Sequence, residues 1–172
     1  MCLMCNERVL ETSECRAYNA LVHHQTIISA KLLVGQCQVC NATAVTPNIP
    51  ESEALSGRKI ASRADVREVA RRLSETYGCA VLVKGGHAVG DLASAEDTLF
   101  DGKDFFAFAM PWVEDPVSTH GTGCSLAAAL TAELTLARPL PTAVKGAKAY
   151  VHAAIENSFL VGKNCGVLGF AG

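Results

Sequence analysis

The chain has 172 residues, of which 49% are hydrophobic and 19% charged, and its formal net charge is −2. Such a composition supports a sizeable core and excludes wholesale disorder. The near-neutral charge and the 6% aromatic content exclude the basic footprint of a nucleic-acid binder and a stacking platform for bases.

Residues 1–43 come first and read as an irregular leader. They are rich in Cys, Asn and Gln, and only 26–34 forms a short apolar run. Met1 to Arg8 has no apolar stretch after a basic cluster, so no signal peptide is expected. No uncharged apolar run in the chain reaches the roughly 18 residues of a membrane span. The expected setting is the cytoplasm, with no membrane partner. Five of the eight cysteines (Cys2, Cys5, Cys15, Cys37 and Cys40) fall in this leader. In a reducing compartment they are expected to be free thiols. Cys2/Cys5 and Cys37/Cys40 form two CxxC pairs, a zinc pattern when suitably spaced, but 31 residues separate them. No glycine or aromatic knuckle residue follows either pair, and zinc is expected to be absent.

From Ala44 onward the local signals agree with one another. Ala44-Val45-Thr46 reads as a strand end, Pro47 to Pro50 as a turn, and Glu51 to Leu55 as a short helix stopped by Gly57. Ser62, with Asp65 three residues on, opens a helix that ends at Gly78. Val66, Val69, Ala70, Leu73 and Tyr77 supply its apolar stripe. Cys79 to Val83 is a continuous apolar run, as in a buried parallel strand. Thr98 to Phe100 and Phe105 to Phe108 flank Asp101-Gly102-Lys103-Asp104, a hairpin signal. Asp97 and Asp101 read as turn formers. A loop over 115–119 leads to a small-residue helix over 121–137 and a second helix over 141–159.

The sharpest segment is His120-Gly121-Thr122-Gly123-Cys124-Ser125. Two glycines before a helix let backbone approach a ligand, and the first helical amides are free at the positive end of the dipole. Together they make an anion hole suited to a phosphoryl group. No Gly-Lys-Ser/Thr follows, so it is not a Walker A loop. Cys124 stands at this helix start, where a thiolate is favoured, placed to accept the proton of a substrate hydroxyl. The plain alternative, of comparable weight, is a tight turn into a packed helix. Asn48 and Glu51 suit magnesium held through water beside phosphates. Taken alone, an N-cap Asn with Glu51 in the first turn is the simpler account. Lys84 at a strand end can meet a phosphate, although an ordinary strand-end lysine fits as well.

The order of these segments resembles the hydroxymethylpyrimidine/phosphomethylpyrimidine kinases of thiamine biosynthesis. The resemblance rests on 46–57 (TPNIPESEALSG), 81–87 (VLVKGGH), 97–102 (DTLFDG), 119–126 (THGTGCSL), 147–151 (AKAYV), and Gly162-Lys163. It implies a ribokinase-like, three-layer α/β/α core with ATP and magnesium as cofactors. It also implies transfer of the ATP γ-phosphate to the hydroxymethyl group of a small pyrimidine, and then to the monophosphate. By the same resemblance, Asn48 and Glu51 organise magnesium. Gly121, Thr122 and Gly123 form the anion hole and Cys124 holds the catalytic position. Lys84, Gly86 and His120 are the nucleotide-side residues. The resemblance leaves room for a homo-oligomer.

Residues 1–43 do not resemble the family's N-terminal portion, which carries the pyrimidine pocket. The expectation is therefore a core truncated on its N-terminal side, with the nucleotide part over 44–172. Two other enzymes compete, a hydroxyethylthiazole kinase and a pyridoxal kinase. His120 and the Thr-Pro-Asn-Ile-Pro-Glu segment favour the pyrimidine kinase over the thiazole kinase. From a different class, the competitor is a non-catalytic nucleotide-binding or partner-binding remnant. The zinc module, resting on the CxxC pairs alone, is the remaining reading.

Overall fold

A computed structural model of the chain describes residues 43–85 and 94–170. The leader up to residue 42, with its CxxC pairs, and Gly86 lie outside the described residues. Strand β1 (Ala44–Val45) leads through buried Thr46 and Pro47 to helix α1 (Ile49–Ser56). The helix begins earlier than the two prolines suggest. Pro50 occupies its first turn, where a missing N–H costs no intrahelical bond. Gly57, at φ 69°, closes α1 by donating its amide to the Glu53 carbonyl. Helix α2 (Arg63–Tyr77) is capped by Ser62, whose side chain accepts from the Asp65 amide, and buries Val66, Val69, Ala70 and Leu73. Strand β2 (Ala80–Val83) is buried throughout.

Strands β3 (Ser94–Phe100) and β4 (Phe105–Pro111) form the expected hairpin, paired from Ser94↔Pro111 to Phe100↔Phe105. Asp101 shapes the turn by accepting from the amides of Lys103 and Asp104 at 2.8 and 2.7 Å. Helices α3 (Thr122–Thr135) and α4 (Leu140–Glu156) follow, and then a hairpin the residues did not announce, β5 (Phe159–Val161) with β6 (Cys165–Val167).

The four-stranded sheet has the order β1-β2-β3-β4 and is mixed. β1 and β2 are parallel, as α1 and α2 supply a crossover between them. The stretch from Val83 to Ser94 is too short for such a crossover, and β3 returns antiparallel to β2. Alternation sends Ala44, Ala80, Leu82 and Leu99 to one face, against Leu126 and Leu130 of α3 and Val144 and Val151 of α4. Val45, Val81, Val83 and Phe100 face Val69 and Leu73 of α2. The result is the expected three layers, helices on both faces of a sheet.

The pairing directions place the site. β1, β2 and β4 run one way and β3 the other. Leu140, at the start of α4, lies beside Thr43, Gly78 and Gly102 at the amino ends of β1 and β2, where a broad open depression forms. α3 therefore begins at the opposite end of the sheet, where β1 and β2 finish. The depression lies away from every residue singled out for chemistry.

Three carboxylates in caps and turns sit below their ordinary range. Asp101 is held there by the amides of Asp104 and Lys103. Asp65 is held by the Ser62 hydroxyl and the Ala61 amide, and Glu53 by Lys59 and the Ile60 amide. A depressed folded-state pKa stabilises above the unfolded value and is lost as pH falls through the folded one. The urea midpoint is therefore expected to decline below about pH 4 and to be insensitive to these groups above about pH 5. Asp101→Asn should flatten part of that decline. An unchanged profile for the variant would remove Asp101 from the account.

Candidate functional site

The carboxyl ends of β1 and β2 meet through backbone. The Lys84 amide donates to the Pro47 carbonyl at 2.8 Å, and Asn48 and Lys84 form a parallel bridge. Asn48 is the N-cap of α1. Its Oδ1 accepts from the Glu51 amide at 2.8 Å, and Glu51 Oε2 accepts from the Asn48 amide at 2.7 Å. The capping account of this pair is thus the one observed. It leaves the second oxygen, Oε1, without a protein hydrogen bond among the described residues. Lys84 Nζ lies 4.0 Å from Glu51 Oε2, with both side chains largely withdrawn from water.

A second set of contacts lies one residue further on. Asp97 is not a turn former: it stands within β3, only 5% exposed. Its Oδ1 accepts from the Gly85 amide at 2.9 Å, and its Oδ2 accepts from Lys148 Nζ at 2.6 Å. The sequence held a signal for this pair. Lys148 follows Val144 by four residues and precedes Val151 by three, so a lysine sits on the apolar stripe of α4. Gly85 is constrained from the other side, since a Cβ there would lie 1.9 Å from the Glu96 carbonyl oxygen. Gly85→Ala is expected to cost at least the ~1–3 kcal/mol of an overpacked site. An unchanged thermal midpoint would show that the β2 end can shift freely.

The third part is the turn into α3. Gly121 is its N-cap at φ 88°, a left-handed conformation that suits glycine, and no side chain caps the helix. The Thr122 amide reaches the Thr119 carbonyl at 3.4 Å, and the Ser125 amide reaches the Gly121 carbonyl at 2.9 Å. Between them, the amides of Gly123 and Cys124 have no backbone acceptor among the described residues. Cys124 is a free, exposed thiol. His120 is exposed, and its amide donates to Ser118 Oγ at 3.2 Å.

The β5–β6 hairpin braces this turn. The Ser118 amide donates to Ser158 Oγ at 3.3 Å, and Gly166 packs against Val117 and Ser118. The hairpin also leaves Phe159, Leu160 and Val161 exposed, as is Val117 in the loop it braces. Asn48, Glu51 and Lys84 are therefore brought together by direct contacts. The Gly121–Cys124 turn lies at the same end of the sheet, on the α3–α4 side, with no hydrogen bond or ion pair to them among the described residues.

Comparison with known proteins gives consistent results. The family model described as phosphomethylpyrimidine kinase matches residues 20–169. The hydroxymethylpyrimidine/phosphomethylpyrimidine kinase of Aquifex aeolicus is 37% identical over 126 residues, covering 73% of this chain and 48% of the relative. That of Bacillus subtilis is 34% identical over 147 residues, covering 86% and 52%. A pyridoxal kinase from Staphylococcus aureus solved with ADP superposes with a TM-score of 0.68 at 34% identity, covering 74% of this chain and 46% of that one. The chain spans about half the length of these curated relatives. No helix among the described residues is long and apolar enough to cross a membrane.

Proposed function

This chain belongs to the phosphomethylpyrimidine kinase family, with its ribokinase-like fold, and from that premise we propose that it carries the nucleotide side of a small-molecule kinase. The phosphoryl donor is ATP. The acceptor is the hydroxymethyl group of a small pyrimidine, or the phosphate of its monophosphate. The observation that carries the proposal is the Gly121-capped start of α3. There the Gly123 and Cys124 amides are left without backbone acceptors, at the end of the sheet where Glu51 and Lys84 meet.

The chemistry follows from these groups. Phosphoryl transfer depends mainly on positioning and charge stabilisation. The amides of Gly123 and Cys124 donate to the equatorial oxygens of the moving phosphoryl group. The acceptor hydroxyl attacks phosphorus, the bond to the ADP oxygen breaks, and the hydroxyl proton passes to the Cys124 sulfur. Lys84 offsets phosphate charge and, with His120, borders the nucleotide. Magnesium fits the donor set, since it keeps its waters and is commonly held by one or two carboxylates together with substrate phosphates. Glu51 Oε1 and Asn48 would hold it through water, and it would neutralise charge on the phosphates. The exposed apolar side chains of Val117 and Phe159 offer a surface for the heteroaromatic base.

A second acceptor is favoured by one observation, the pyridoxal kinase among the structural neighbours. In a protein carrying the family's N-terminal portion ahead of Thr46, calorimetry with ATP and magnesium, followed by ADP release with hydroxymethylpyrimidine or pyridoxal as acceptor, separates the readings. Nucleotide binding with release on the pyrimidine is the expected result. Release on pyridoxal alone would reassign the substrate. Binding without release on either acceptor would favour the non-catalytic reading, and no binding at all would defeat the proposal.

A further inference from the structure

We infer that the buried Asp97–Lys148 pair is a positioning device that sets, through the Gly85 amide, where Lys84 stands at the end of β2. The inference rests on the nucleotide-site reading only for what Lys84 then meets. The clamp itself is a property of the described residues.

Lys148 and Asp97 stand 51 residues apart in the chain, and both side chains are about nine-tenths withdrawn from water. A buried ion pair is a weak source of stability compared with packed apolar groups, so its atoms need another account. The two carboxylate oxygens of Asp97 serve different partners. One takes the Lys148 ammonium, which fixes the carboxylate against α4. The other takes the Gly85 amide.

Backbone pairing between β2 and β3 stops at Val83↔Thr98. The Asp97 side chain thus carries the β2–β3 connection past the point where the ladder ends. Gly85 is the residue this requires, because any Cβ would strike the Glu96 carbonyl. Lys84 lies directly between two fixed amides, its own bonded to Pro47 of the β1 end and the next bonded to Asp97. Its ammonium therefore has a defined origin from which to face Glu51 Oε2. Loss of Lys148 leaves the Asp97 carboxylate free to turn, and the Lys84–Gly85 segment loses its second anchor.

The test is the acylation rate of individual lysines in the full chain, followed by mass spectrometry with a small reactive ester. In the unaltered protein Lys84 is expected to react far more slowly than Lys59, whose side chain is 90% exposed. Lys148→Met and Asp97→Asn should each raise the Lys84 rate roughly tenfold relative to Lys59 by freeing the segment locally. Lys148→Arg should restore slow labelling. Asp97→Asn keeps the shape of the side chain and decides the matter if Lys148→Met loses its circular dichroism. An unchanged Lys84 rate in folded Asp97→Asn protein overturns the inference, as does Lys148→Arg behaving like Lys148→Met. Magnesium-ATP should slow Lys84 labelling in the unaltered protein, at a nucleotide concentration that rises about tenfold in Asp97→Asn if the anchor is lost. Absence of that protection, with Lys84 still accelerated in the variants, would sink the nucleotide reading and leave the clamp standing.

Discussion

Replacing Lys148 by Met is expected to lower the unfolding free energy by about 3–5 kcal/mol, the loss typical of breaking one side of a buried pair. The cause is the carboxylate left behind. Asp97 is 5% exposed, and its remaining donor is the Gly85 amide. A double variant, Asp97→Leu with Lys148→Met, should be less destabilised than the single one, because it removes the buried charge as well. It should still fall short of the parent, since the Gly85 amide loses its acceptor at a cost of about 1–3 kcal/mol. Lys59→Met is the contrast. Its partner Glu53 is near the surface, where such pairs contribute little to stability. Urea unfolding of the four proteins checks the series. A Lys148→Met protein within about 1 kcal/mol of the parent would mean that water reaches Asp97 and that the pair is not closed in.

The second large effect concerns Cys124. Replacing it by Ala is expected to lower kcat by about 10²–10⁴, the range of a positioned proton acceptor, with little change in ATP affinity. The split follows from the geometry. The amides of Gly123 and Cys124 belong to the backbone and survive the substitution, while the sulfur proposed to take the hydroxyl proton does not. In-line attack also needs the acceptor to be held. The resemblance assigns that task to the family's N-terminal portion, and the chain spans about half the length of its relatives. The 172-residue chain assayed alone is accordingly expected to show weak ATP binding and little turnover. The Cys124→Ala measurement then belongs in a protein carrying the family's N-terminal portion ahead of Thr46. Full turnover by the chain alone would refute the assignment of the acceptor pocket. Unchanged kcat in the variant would remove Cys124 from the chemistry.

The legible parts of the fold were those whose signals are local. Ser62, Asp65, Val69, Leu73 and Gly78 specify α2 by capping and periodicity, and the helix is found there. Asp101 to Asp104 specify the β3–β4 turn by side chain-to-backbone bonds within four residues. The Gly121 start of α3 was legible because a left-handed cap without a side-chain partner needs glycine. What escaped is non-local. Asp97 looks like a turn residue beside Thr98-Leu99-Phe100, but it stands within β3, paired with Phe108, and meets Lys148 of α4. The β5–β6 hairpin has three-residue strands with no alternation of burial in β5, and its place is set by Ser118 and Val117 of another loop.

The pairing pattern has a consequence for how the molecule is assembled. In β3–β4 every partner is near in sequence, from Phe100↔Phe105 outward, and the turn is pre-shaped by Asp101. In β1–β2, Ala44 meets Ala80 across the whole of α1 and α2. Closing that long loop costs entropy before any contact rewards it. We expect the hairpin to be complete early in refolding and the β1–β2 join to come late. Pulse-labelled hydrogen exchange would show this as early protection at Leu99 and Phe106 and delayed protection at Ala80 and Lys84, whose amides donate to the Thr43 and Pro47 carbonyls; simultaneous protection would refute it. Asn48, Glu51 and Lys84 owe their proximity to that late join, so a newly made chain acquires its scaffold first and the cluster proposed for the nucleotide side last.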